Sequence, residues 1–359
     1  MNRVPRVLRL GGLLVVVALV LSGCDLLFGS LGLGGTAIEL STDINDDLLL
    51  EDIVRKADRP DYVVSTADTT VRVGADLTIE PGVVIAFAED VTLIIEPAGA
   101  LIAQGESGDP IRFTSLDAAS GIKWAGIRIE SSSTANVLDY AIVEHAGGYD
   151  NHYLSGWKYV SVSVYPDAKL EITNTTIQDS DEHGLWAEGE LTNFAANSFL
   201  NNAGAAGAIN PNYWGVIDTA TTISGNGTDG ILVDGTEDLT TAQSVSPLAD
   251  GVPYIVYAEM DVASDLTFEP GTVVQFDSKE EFYGNYSMLI INASGSLNAV
   301  GTVSDPIVFT SSDVANGRHW TGIRFDDNAS STSNVMEYVE VSYGGAEDNH
   351  FVGGWKHAN

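Results

Sequence analysis

Apolar and small residues recur along this chain on two length scales. Ile177, Leu200 and Ile223 stand 23 residues apart, and so do Gly184, Gly207 and Gly230, in the phrases HGLWA, AGAIN and DGILV. Two positions that hold one spacing through three copies define a repeating unit. A unit of this length, rich in β-branched residues, Gly and Asn, is too long for a hairpin and has no helical period. It fits one coil of a parallel β-helix, in which three short strands and three turns close a circuit. Each coil then advances by about 4.8 Å, the spacing between hydrogen-bonded strands. The reading places Ile177, Leu200 and Ile223 one above another in the interior.

The longer scale is a duplication. Leu77-Thr78-Ile79-Glu80-Pro81-Gly82 returns as Leu266-Thr267-Phe268-Glu269-Pro270-Gly271. Asp109-Pro110-Ile111 with Phe113-Thr114-Ser115 returns as Asp305-Pro306-Ile307 with Phe309-Thr310-Ser311, and Trp124, Gly126, Ile127 and Arg128 return as Trp320, Gly322, Ile323 and Arg324. The offset drifts from 189 through 196 to 198, as insertions confined to turns would produce. Module 1 spans residues 60–251 and module 2 residues 252–359. Trp124 and Trp320 begin predicted strands and are expected to be structural.

The succession LTIEPGVVIAF, GALIAQG, PIRFTS, WAGIRI and LDYAIVEHAGG, with the 23-residue coils, resembles bacterial right-handed parallel β-helix surface proteins of pectin-lyase-like fold. The resemblance covers residues 70–359. It implies an all-β solenoid, and it leaves the activity open because fold and function separate freely.

The N-terminus has a different pattern. Arg3, Arg6 and Arg9 precede an apolar run from Leu10 to Leu21, which is shorter than the roughly 20 residues a spanning helix needs and has the dimensions of a secretory signal. Leu21-Ser22-Gly23-Cys24 resembles the lipobox of bacterial lipoproteins, which implies cleavage after residue 23, acylation of Cys24 and export. Cys24 is the only cysteine in the chain, so no intrachain disulfide forms. The expected localisation is a bacterial membrane, with the outer membrane or cell surface favoured; Asp25 is compatible with retention at the inner membrane. Residues 24–40 read as a lipidated tether and 41–59 as an N-terminal cap. Within that cap, Asn45 to Ala57 is expected to be helical. Asn45 is a suitable N-cap, Asp46 and Asp47 lie in the first turn, Arg55 and Lys56 in the last, and Leu49, Ile53 and Ala57 share a face.

Charge narrows the function. After Cys24 the chain carries 13 basic against 50 acidic residues, a formal charge of −37. Nucleic-acid binding depends on Lys and Arg neutralising phosphates, so such a partner is excluded.

Candidate chemistry lies in an insertion. Val143 and Ile177 are equivalent yet 34 residues apart, so eleven residues leave the coil around Gly148 to Lys158. Asp150, Asn151, His152, Trp157 and Lys158 return in module 2 as Asp348, Asn349, His350, Trp355 and Lys356. Long turns on a rigid scaffold are the usual places for function. Trp stacking on a sugar ring, with Asp, Asn and His hydrogen-bonding beside it, would make a ligand site. A self-supporting loop built on Asx turns accounts for the same residues and is the commoner use of them. Asp179, Asp181 and Glu182 are weak calcium candidates; no other cofactor is indicated.

No Ser-His-Asp set, nucleophilic Cys or phosphate-binding Gly loop is visible. Glu182-His183-Gly184 is similar to the GHG element of polygalacturonases, but their other elements are missing. The leading function is a non-catalytic, membrane-anchored β-helix that binds glycan or a surface protein. The alternative is a polysaccharide lyase or glycoside hydrolase of the pectin-lyase-like fold. Module 2 stops at Asn359, where module 1 continues into Tyr159–Val164, so an open last coil is expected, with the chain either a fragment of a longer protein or the product of a truncated gene. Oligomeric state is not indicated.

Overall fold

The computed structural model describes residues 36–149, 152–153, 157–277, 287–326, 329, 333–346, 350–351 and 355–356. The segment read as a signal, Cys24 and most of the segment read as a tether lie outside them. Among the described residues, no helix is long and apolar enough to cross a membrane. Short strands of β-branched residues wind into a parallel β-helix. An eight-stranded first wall runs from Ile38–Glu39 to Thr222–Ser224, and a twelve-stranded second wall from Asp43–Ile44 to Val339–Val341. A six-stranded third wall runs from Leu48–Leu50 to Glu190–Ala195. Neighbouring strands within each wall are parallel, and the interior is one continuous cluster of Val, Ile, Leu, Phe and Trp side chains.

The helix expected from Asn45 to Ala57 is absent. Residues 43–44 and 48–50 are strands, and with Ile38–Glu39 they make a complete first coil that begins inside the segment read as tether. Leu48 and Leu50 pair with Leu77 and Ile79 of the next coil. Parallel pairing with the next coil gives partners to the backbone groups along one side of these strands and buries Leu50, which an isolated short helix in this acidic segment cannot match. Asp61 ties the following loop down. Its buried carboxylate accepts from the backbone N–H groups of Ile53 (3.0 Å), Val54 (2.6 Å) and Val84 (2.8 Å).

The 23-residue step proves to be an average. Ile177 pairs with Phe199, and Phe199 with Ile223, so the two coils have 22 and 24 residues. Leu200 is therefore not in the interior column; it pairs with Gln178 and Ser224, while Phe199 is fully buried. Gly207 likewise pairs with Leu185 and Ile231, one residue from the expected alignment with Gly184 and Gly230. A one-residue shift moves a side chain to the other face of a strand. The polar ladder beside these strands keeps the same 22 and 24 steps. The Ser180 N–H donates to Asn202 Oδ1 (3.1 Å), and the Asn202 N–H to Asn226 Oδ1 (3.0 Å). The Asn202 and Asn226 amides donate to the carbonyls of Ile177 and Phe199. Asp179, Asn201 and Gly225, at the preceding turn position, all have positive φ (53°, 55° and 74°).

The two modules share their packing. Trp124 stacks on Phe87 at 4.3 Å and Trp320 on Phe276 at 3.9 Å, both nearly parallel. Each indole N–H donates to a carbonyl, of Glu144 (2.9 Å) and Ser342 (2.8 Å). Both tryptophans are fully buried, as expected of structural residues.

The modules nevertheless sit in different phases. Val84–Phe87 belongs to the first wall, but its repeat Val273–Phe276 belongs to the second. Thr92–Ile95 belongs to the second wall, and its repeat Met288–Ile291 to a separate three-stranded sheet. The change occurs where the first wall ends at Thr222–Ser224 and the second passes from Thr228–Asp234 to Tyr254–Tyr257. Trp214, on the 3-10 turn Pro211–Val216, fills this junction, with its ring edge-on to Tyr254 (5.4 Å) and Phe268 (5.3 Å).

Candidate functional site

Val143 pairs directly with Ile177, which confirms that eleven extra residues leave the coil. The chain turns out at Gly147, whose φ of +74° and close approach to Ser180 Oγ exclude a side chain. The N–H groups of Gly147 and Gly148 donate to Ala125 and Trp124, and those of Gly345 and Ala346 donate to Thr321 and Trp320. Both excursions therefore leave the helix beside the same buried tryptophan.

Each excursion is an antiparallel hairpin in the same register. His152 pairs with Lys158 and Tyr153 with Trp157; His350 pairs with Lys356 and Phe351 with Trp355. The four candidates His152, Trp157, His350 and Trp355 thus lie on paired strands, and Lys158 and Lys356 close the two hairpins. Asp150, Asn151, Asp348 and Asn349 lie outside the described residues.

Of the candidate side chains, that of Lys158 is placed. Its Nζ lies 4.2 Å from the centre of the Trp186 ring. Trp186 is outward-facing, because its neighbours Leu185 and Ala187 face the core. It pairs with Ser163 and Ala208, and the column continues through Leu232 and Ile255. Together with Val160, Ala205 and Tyr257 these residues form a second buried apolar cluster, separate from the core. Sequence reasoning singled out the loop and missed Trp186; the available signal was a Trp on the outward phase of the His183–Ala187 strand.

Titratable groups gather beneath the hairpin. Burial pushes the Lys158 ammonium below the usual lysine range, against the pull of Glu182, Asp234 and Glu188. Burial, and then the charge of Lys158, bring His183 down to about 4. His183 is therefore neutral: its Nδ1 accepts the Ala205 N–H (3.1 Å), and Nε2 points at Glu182 Oε1 (3.4 Å). Burial raises the Glu182 carboxyl, opposed by a backbone hydrogen bond to Tyr159 and by Lys158.

The calcium candidates do not come together. Among the described residues no three His, Cys, Asp or Glu side chains make a metal set. Asp179 sits at a positive-φ turn, and its carbonyl receives the Lys123 ammonium. The backbone N–H of Asp181 donates to Ala146. A shallow acidic depression lined by Glu51, Asp52, Ile53, Arg55 and Glu80 lies at the N-terminal end and includes none of the candidates.

A family model described as a pectate-lyase like beta helix domain matches residues 242–356. This covers module 2 up to the end of its hairpin. No curated protein and no solved structure matches the chain.

Proposed function

We propose that this protein is a non-catalytic, membrane-anchored β-helix that binds polysaccharide through its two hairpins. The observation that carries the reading is the duplication of one hairpin in one register, His152 against Lys158 and His350 against Lys356. Each copy bears the same Asp-Asn-His and Gly-Trp-Lys. A coil needs only a tight turn at this point, as in the shorter coils that follow, so an eleven-residue excursion kept in both modules points to use beyond folding. By residue type, Trp157 and Trp355 suit stacking on sugar rings, and Asp150, Asn151, Asp348 and Asn349 suit hydrogen bonding to them. The anchor is Cys24.

The test is a glycan array with the full-length chain in detergent, with and without calcium, followed by incubation of each bound glycan. Retention of specific glycans without new reducing ends or unsaturated products is the expected result. Turnover of any bound polysaccharide would replace this reading by that of a lyase or hydrolase. A blank array would remove the glycan reading.

A further inference from the structure

The last coil is uncovered on its far side. Its strands Gly322–Phe325, Val335–Glu337 and Val339–Val341 are each the final strand of their sheets. Module 1 shows how such a coil is covered. The equivalent strands Gly126–Ile129, Val137–Asp139 and Ala141–Glu144 pair onward with Val160–Val164, Lys169–Thr173 and Thr176–Gln178. Under that cover Ile129 and Leu138 are fully buried, and Val137 is 7% exposed. Their counterparts Phe325, Met336 and Val335 are 42%, 40% and 42% exposed, and Tyr338 beside them is 51% exposed. Of the eleven large apolar side chains that stand exposed among the described residues, five fall between 325 and 343. The first coil contributes only Ile38, while its Ile44 and Leu50 are buried. The chain is therefore apolar at one end. That end also presents the free edges of three strands, a ready template for pairing with another chain.

We infer that this end is an interface between two copies of the chain, which meet last coil to last coil about a twofold axis perpendicular to the solenoid. A contact that buries apolar surface on both sides must use the same end twice, because the first coil offers no matching patch. The twofold reverses strand direction, so the facing edges pair antiparallel. An isologous contact of this kind closes after two copies and does not grow into a fibre. Charge sets the conditions. Glu337 and Glu340 are exposed on the facing strands and are brought towards their own copies, and each chain carries a formal charge of −34. That repulsion reaches far in dilute salt and is screened within about 8 Å at physiological ionic strength, while the gain from apolar burial does not depend on such screening. Association therefore strengthens as salt rises.

The experiment is sedimentation velocity on the full-length chain in density-matched detergent, across a concentration series, in dilute and in about 1 M sodium chloride. A monomer–dimer equilibrium is expected, with Kd lower by about tenfold or more in the concentrated salt. Phe325→Lys and Met336→Lys, both at exposed positions, should each abolish the dimer. The double change Glu337→Gln with Glu340→Gln should dimerise in dilute salt as well, and Ile38→Lys at the opposite end should leave the dimer intact. Monomers at every concentration and salt would overturn the inference. Species that grow beyond the dimer, or loss of the dimer in Ile38→Lys, would mean that copies join head to tail and would equally overturn it. A dimer that survives both lysine substitutions would place the contact elsewhere on the chain.

Discussion

Lys158 closes the first hairpin and lays its ammonium 4.2 Å from the centre of the Trp186 ring, on the outer face of the wall. A cation held against an indole face contributes about 0.5–2 kcal/mol, more as water is excluded. This contact joins the excursion to the scaffold, so the hairpin is fastened at its base. Lys158→Met is expected to cost about 1 kcal/mol and to raise amide exchange within 152–158 while sparing Val160–Val164. Trp186→Ala removes the centre of the outer cluster and should cost about 3–5 kcal/mol. Exchange and denaturant melts of the two variants check this. Unchanged exchange in the hairpin of Lys158→Met would show that Lys158 is not its fastening.

Acid should weaken the fold in two stages. His183 has its pKa lowered from 6.5 to about 4, so the unfolded chain binds the extra proton throughout that interval. The stability due to neutral His183 is complete above 6.5 and is lost as pH falls towards 4, by about 3 kcal/mol at full extent. Burial would raise the Glu144 carboxyl, but the hydrogen bond and charge of Arg112 (2.6 Å), with the Gln178 amide (2.7 Å), hold it below its ordinary value. Its contribution is present above the usual glutamate range and disappears as pH falls through the depressed value. His183→Asn should flatten denaturant midpoints between pH 6.5 and 4 and leave the later loss in place. A midpoint independent of pH across that interval in the parent chain would contradict the buried neutral imidazole.

Adjacent residues in one strand should respond oppositely to truncation. Phe199 is fully buried between Ile177 and Ile223, with its ring stacked on Phe194 at 6.0 Å. Phe199→Ala is expected to cost about 3–5 kcal/mol. Leu200 points away from that column, and Leu200→Ala should cost less than about 1 kcal/mol. Equal costs would mean that the strand is out of the register described.

The proposed anchor is tested by fractionation. Cys24→Ala should move the protein from the membrane pellet to the soluble extracytoplasmic fraction. Persistence in the pellet after a carbonate wash would show that something other than an acyl chain holds it.

How much of this was legible depended on whether the deciding interaction was local. The insertion could be located because Val143 and Ile177 keep their roles on either side of it. The duplicated Trp124 and Trp320 were readable because each has the same neighbours, although the strands they were expected to begin start two residues later, at Gly126 and Gly322. Leu49, Ile53 and Ala57 have helical spacing, yet Leu48 and Leu50 pair with Leu77 and Ile79, and that partnership lies almost thirty residues away. The choice between Phe199 and Leu200 is of the same kind: both are apolar, and pairing with the coils above and below decides which faces inward. The change of phase between modules has no local signature at all. It follows from how Thr228–Asp234 receives Tyr254–Tyr257, around the ring of Trp214.

The most direct test of the account is amide hydrogen exchange on the full-length chain, with and without a saturating neutral polysaccharide that scores on the array. Peptides covering 148–158 and 346–356 should gain protection together, in equal proportion to ligand bound, with the polysaccharide recovered intact. Protection confined to one hairpin, protection elsewhere with both hairpins unchanged, or recovery of cleaved polysaccharide would contradict it.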